Sequence, residues 1–163
     1  MIKIISGGQT GVDRGALQAA LDRQVSCGGW CPAERKAEDG RIPEHFPVTE
    51  LTGADYAQRT EQNVLDSEAT VLIYFGTISG GSRLTLRCCR QVNRSRLAVD
   101  ASKIVIAEAA QRMLAFFGEH KVGCVNIAGP RESSAPGTAE HSRQIVGEFL
   151  DRLAQSALLN QRE

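Results

Sequence analysis

An excess of charge of either sign is missing from this chain. Its nineteen Lys and Arg balance nineteen Asp and Glu over 163 residues. No global field therefore draws it to nucleic acid or to an anionic membrane, and any basic site must be local. Long apolar runs are missing too: none approaches the roughly 20 residues that span a bilayer. Neither nucleic acid nor membrane is expected among its partners. The five cysteines (Cys27, Cys31, Cys88, Cys89 and Cys124) form no CxxC pair. Zinc sites show tighter paired spacing or Cys/His mixtures, so reduced thiols and no directly ligated metal are expected. Cys31 alone falls in a loop expected to lie near a candidate ligand site. The apolar start Met1–Ile5 is too short for a signal peptide and glycines follow at once, which points to a cytoplasmic protein.

Three enzyme signatures are absent as well. Gly7-Gly8-x-x-Gly11 lacks the G-x-G-x-x-G spacing of a dinucleotide fold, and no acid follows the second strand before Glu34. Gly11 is followed by Val12-Asp13 where a nucleotide-triphosphate loop carries Lys and Ser or Thr, and there is no G-x-S-x-G elbow. His45, His120 and His141 are scattered, and no nucleophile–base pair stands out.

With 42% hydrophobic and 23% charged residues, the composition fits one globular domain able to bury a single core. The organising stretch is Ser6-Gly7-Gly8-Gln9-Thr10-Gly11-Val12-Asp13-Arg14-Gly15. It follows an apolar strand and enters a helix over Val12–Arg23, with Val12, Ala16, Leu17, Ala20 and Leu21 on one face. A strand, a glycine turn and a helix N-terminus leave backbone N–H groups at the positive end of a dipole, the arrangement that binds phosphate. The alternative is a tight turn without a ligand.

Downstream the pattern repeats. Val25–Trp30 reads as a second strand, and residues 31–52 as a long irregular loop with Arg35, Lys36 or Arg41 free to meet a phosphate or to be solvated. Thr52 with Asp55 predicts a capped helix through Leu65, on which Arg59, Thr60 and Asn63 face either a site or solvent. Ala69–Phe75 is the continuous apolar strand of a parallel sheet covered on both faces. After it, Gly80-Gly81 and a capping Ser82 open a helix that includes Thr85, a second anion cup. Leu97–Asp100 is a fourth strand, with Asp100 a hydrogen-bond acceptor or a cap. Ser102 caps a helix that Gly118 stops. Val122–Ala128 is the fifth strand, and the loop with Gly129, Arg131, Glu132 and Ser133 leads to a helix capped by Thr138. The tail from Leu158-Leu159 onward is either frayed or used in subunit contact.

Three βα loops thus leave one sheet edge, where open α/β sheets bind ligands. The candidate phosphate- or ligand-binding residues are Gly7, Gly8, Gln9, Thr10, Gly11, Asp13, Arg14, Gly80, Gly81, Ser82, Thr85, Gly129, Arg131, Glu132 and Ser133. Asp13 and Glu132 are the candidates for catalysis. Arg14 is placed either to clamp a phosphate or to pair with an acid.

The motifs Ser6–Leu17, Gly28-Gly29-Trp30-Cys31-Pro32, Ala37–Gly40, Arg59–Val64 and Asn126–Ser133 resemble those of the molybdenum carrier protein family. That family is similar to the Rossmann-like superfamily that also holds the lysine-decarboxylase-like phosphoribohydrolases and the DNA-processing proteins. The resemblance implies a three-layer α/β fold with a mostly parallel sheet of five or more strands, a homo-oligomer (dimer or tetramer), and a ligand of molybdenum-cofactor (molybdopterin) or nucleotide type. Its rival implication is an enzyme that cleaves a nucleotide's N-glycosidic bond, or a nucleotide sensor. Those hydrolases carry P-G-G-x-G-T-x-x-E. Here Gly80-Gly81-Ser82-Arg83-Leu84-Thr85-Leu86-Arg87-Cys88 puts Arg87, or Cys88 if Thr85 is the anchor, in place of the glutamate.

Overall fold

The computed structural model describes residues 2–160. Its elements in chain order are β1 (Lys3–Ile5), α1 (Val12–Asp22), β2 (Ser26–Gly28), β3 (Trp30–Cys31), a 3-10 turn (Ala33–Arg35), β4 (Lys36–Ala37), β5 (Gly40–Arg41), β6 (Thr49–Glu50), α2 (Tyr56–Leu65), β7 (Ala69–Tyr74), α3 (Gly80–Gln91), β8 (Ser95–Asp100), α4 (Ile106–His120), β9 (Cys124–Ala128) and α5 (Thr138–Asn160).

Five strands form the central sheet in the order β2-β1-β9-β7-β8, every pair parallel. Parallel strands need crossover helices, and these cover both faces. On one side α5 packs against α1 and α4, and on the other α2 packs against α3. This is the three-layer α/β architecture expected. Counted cyclically from β7, the strand order reads 2-1-3-4-5, that of a flavodoxin-like doubly wound sheet. The chain is therefore wound like that fold but begins at its fourth strand.

The main core fills the space between sheet and helices, with Ile4, Val71, Ile73, Val125 and Ile127 from the strands against Val12, Met113, Ile145 and Phe149. Strands buried on both faces are continuously apolar, which is why β7 is the plainest strand in the sequence.

The segment expected to be an irregular loop over residues 31–52 has instead a small core of its own. Leu17, Cys31, Ala37, Ile42, Phe46 and Val48 pack together, and β3 pairs with β6 while β4 pairs with β5. Its hub is Arg35. The buried guanidinium donates to the carbonyls of Ile42, Pro43, Phe46 and Val48, at 2.8–3.1 Å. Arg41 pairs with Glu44. Neither arginine is offered to a ligand, and Cys31 lies in this second core, where burial pushes its thiol pKa up.

Helix ends differ from expectation in several places. The cap of α2 is Asp55 rather than Thr52: its carboxylate accepts from Ala57 and Gln58 N–H while the Gln58 side chain accepts from Asp55 N–H. Ser79, not Ser82, precedes α3. Ser102 caps no helix; its hydroxyl and N–H bond to Asp100, which also accepts from Gly76 N–H. These donors hold the Asp100 carboxyl at a pKa of about 2. Gly118 does not stop α4, which runs to His120 and ends on Lys121 in the left-handed region. α5 continues through Leu158 and Leu159, so those residues are helical rather than frayed; the rest of the tail, 161–163, and Met1 of the first predicted strand lie outside the described residues.

Gly118 is exposed in the helix interior, with open space where a Cβ would stand. Gly118→Ala is expected to stabilise the fold by about 0.5–1 kcal/mol, through the smaller backbone entropy lost on folding. Denaturant unfolding should show a higher midpoint at unchanged slope.

Candidate functional site

The crossover helices that leave β7 and β9 go to opposite faces of the sheet, since α3 belongs to the α2 layer and α5 to the α1–α4 layer. Neighbouring strands whose helices part in this way open a crevice at their carboxyl ends. A cleft of about 340 Å³ lies there. Its lining comes from four segments: Gln9 and Asp13 after β1, Tyr56, Arg59 and Thr60 on α2, Ser79–Ser82 with Leu84 and Thr85 on α3, and Ala128–Arg131 with Ser133 and Ser134 after β9. The loops after the first, third and fifth predicted strands thus converge on one cleft.

Among the predicted residues, Gln9, Asp13, Gly80, Gly81, Ser82, Thr85, Gly129, Arg131 and Ser133 line it. Gly7, Gly8, Thr10, Gly11, Arg14 and Glu132 do not, and the reasons are local. Gly7 lies beneath the Arg59 guanidinium, and a Cβ there would fall 1.5 Å from Nη1. Gly8, at φ +76°, turns toward Ile42 and Val48 of the second core, so its freedom serves the turn and not a phosphate. Gly11, at φ +80°, lies against the Pro130 carbonyl, 2.4 Å from where a Cβ would stand.

The first turn is not the anion cup expected, because the chain fills it. Gln9 N–H donates to Asp13 Oδ2 at 3.3 Å, Thr10 N–H to Gln9 Oε1 at 3.1 Å, and Val12 N–H to the Pro130 carbonyl at 3.2 Å. Asp13 itself supplies the negative charge that the α1 dipole attracts. It is 4% exposed and pairs with Arg59 Nη1 at 3.3 Å. Burial raises its pKa, opposed by the arginine and by Gln9 N–H.

The three remaining polar candidates, Thr10, Arg14 and Glu132, line a groove outside the cleft. Arg14 binds Asp39 through both terminal nitrogens, at 2.6 and 2.8 Å, and the Gly8 carbonyl through Nε at 3.0 Å. Of the two roles left open for it, pairing with an acid is the one observed. Glu132 accepts from Gly137 N–H, from Ala139 N–H at 2.9 Å and from the Thr138 hydroxyl at 3.2 Å. It caps α5, the role expected of Thr138, and its carboxylate is turned from the cleft it was expected to serve in catalysis. Burial pushes its pKa up, but the amides and the hydroxyl outweigh that and hold it below the ordinary value. Thr10 and Ser133 both donate to Glu38, which ties the residues after β4 to the first and last loops.

The cup left open is the N-terminus of α3. Ser79 makes no capping bond with its side chain, no acid lies in the first turn, and Gly80 and Gly81 have nothing within 4 Å of a would-be Cβ. Near it stand two cations, Arg59 and Arg131, the latter with its guanidinium carbon 4.9 Å from the Tyr56 ring centre. Two buried donors of this cleft, Gln9 Nε2 and Arg59 Nε, have no hydrogen-bond partner. A cleft rich in N–H donors, with its one buried carboxylate already paired, suits an anion that also carries acceptors. Tyr56 was missed because it reads as an ordinary apolar-face residue of α2. The Arg59-Thr60 pair was visible as polar residues on that helix, but nothing local to α2 shows which side the sheet presents.

Among the described residues no helix is long and apolar enough to cross a membrane, and no group of three or more His, Cys, Asp or Glu side chains is arranged to hold a metal ion.

Known proteins resemble this chain. Residues 4–150 match the model of the circularly permutated YpsA SLOG family. The crystal structure of a "Putative molybdenum carrier protein" from Syntrophus aciditrophicus SB superimposes with a TM-score of 0.89; it is 41% identical, over 92% of this chain and 95% of that one. No curated protein matches.

Replacing Glu132 by Gln should weaken the α5 cap by about 1 kcal/mol while leaving the cleft intact. Because the folded pKa is depressed, the ionised cap stabilises fully above pH 4.5, the ordinary glutamate value, and that contribution is lost as pH falls below it. Urea titrations between pH 7 and pH 3 should show a smaller drop in stability for Glu132→Gln than for the unmodified protein.

Proposed function

The chain belongs to the circularly permutated YpsA SLOG family, and from that premise we propose that it binds and carries a phosphate-containing small molecule in the cleft between β7 and β9. The observation that carries this reading is the acid-free N-terminus of α3 opening onto the same cleft as Arg59 and Arg131. A helix end without an acid in its first turn, with two guanidinium groups nearby, suits a phosphate by its electrostatics.

The cargo we propose is molybdenum cofactor, with a nucleotide as the other member of the same chemical class. The name of the 41% identical relative supports the first. So does the lining, which includes no Cys or His. A carried cofactor brings its own dithiolene to hold the metal, and the protein needs only to grip its phosphate and ring. A cytoplasmic location and assembly into a dimer or tetramer belong to the same reading; the exposed Leu158 and Leu159 on α5 support the latter.

One observation favours a second reading. Asp13 is a buried carboxyl in the cleft wall with a raised pKa, the condition of a general acid. In a nucleotide N-glycosidase it would protonate the leaving base. Its pairing with Arg59 and Gln9 N–H argues for a structural role instead.

Gly81→Val tests the site. The position is open, so the fold should tolerate the side chain, while the added bulk enters the lining of the cleft. Binding of inorganic phosphate and of nucleoside monophosphates, measured by calorimetry, should weaken at least about tenfold, as expected for loss of charge-assisted hydrogen bonds. Unchanged affinity would overturn the α3 site. Free base accumulating from nucleoside monophosphates, and abolished by Asp13→Asn, would favour the hydrolase over the carrier.

A further inference from the structure

Gln9 is held in an unusual way for a residue that lines a cleft. Its Oε1 accepts two backbone hydrogen bonds, from Thr10 N–H at 3.1 Å and from Glu38 N–H at 2.9 Å. A flipped carboxamide would set N–H against N–H at both, so the orientation is forced. The Nε2 end is buried and has no partner, on a residue that lines the cleft and is only 4% exposed. A buried donor without an acceptor is unfavourable, and a ligand that supplies the acceptor removes that penalty on binding. Arg59 Nε, also unpartnered, lies in the same wall.

The position of this donor matters. Gln9 leaves β1 and the open α3 cup leaves β7, with β9 between them. At roughly 4.8 Å per strand the two turns start about 10 Å apart. That separation suits the two ends of one ligand, a phosphate at α3 and a ring at Gln9.

We propose that Gln9 selects the ligand's ring: its Nε2 donates to an exocyclic ring oxygen, so the cleft takes an oxo-heterocycle, as in oxopurines and oxopterins, and discriminates against a ring that presents an amine there. The fold serves this selection through the hairpin of β4 and β5, whose Glu38 N–H clamps the carboxamide. The inference rests on the binding reading above and adds the identity of the ring edge.

The test compares inosine monophosphate, neopterin monophosphate and adenosine monophosphate on the purified protein by calorimetry, with inorganic phosphate as a fourth probe. At least one of the two oxo ligands should bind about tenfold or more tightly than adenosine monophosphate, whose amine would face the Gln9 donor. The tighter of the two names the ring. Gln9→Glu keeps an acceptor for both backbone amides but turns the donor into an acceptor, and should collapse or invert the ratio. Gln9→Met removes the donor without adding charge, and should bring the ratio toward one; the ratio, unlike absolute affinity, is insensitive to a partial loss of folded protein. Equal or tighter binding of adenosine monophosphate, or a ratio unmoved in both variants, would overturn the role of Gln9 and leave the phosphate site standing. Absence of binding by all four probes would overturn the phosphate site and this inference together.

Discussion

A carboxylate buried at the start of α1 decides where a ligand can go. Asp13 neutralises the positive end of its own helix and draws the Arg59 guanidinium across Gly7. The glycine turn that in other folds receives a phosphate is thereby closed from within. A charge this deep is tolerated only when paired, and the pair ties α1 to α2 across the end of β1. α5 repeats the device with Glu132 at its N-terminus. Of the three helices that leave the cleft edge, only α3 begins without an acid of its own in its first turn or a carboxylate lent by a neighbouring loop.

That exception coincides with the switch in the sheet. Right-handed crossovers send α3 and α5 to opposite faces from the neighbouring strands β7 and β9, and the crevice between them cannot be filled by either helix. The chain begins part-way round the winding of a flavodoxin-like sheet, yet the crevice lies where that winding requires. What matters is which helix follows which strand, and a change in where the chain starts leaves that untouched away from the new ends.

The segment between β2 and α2 supplies the third element. With four carbonyls gathered on Arg35 and a core built round Ile42 and Phe46, it is a rigid buttress. Glu38 fastens it to the first and last loops through Thr10 and Ser133, and its N–H fixes the Gln9 carboxamide. Thr10 and Glu38, which never touch the cleft, therefore determine what one wall of it presents.

Periodicity and glycine placement were enough to find the five sheet strands, the five helices and the edge on which the loops meet, because a strand buried on both faces or a helix lying on a sheet must carry its apolar residues at set intervals. The resemblance carried by Ser6–Leu17 and Asn126–Ser133 was legible in the same way. Helix ends at Asp55, Ser79 and Lys121 were less so, since adjacent polar residues compete for each cap and tertiary contacts choose among them. Only the folded chain decided which glycines face the cleft and which face their own protein. Gly7 and Gly81 look alike in a string of letters; one lies under an arginine that arrives from α2, and the other looks onto open space. That difference is set by residues distant in sequence, and a local pattern holds no information about a charge that the fold brings from elsewhere.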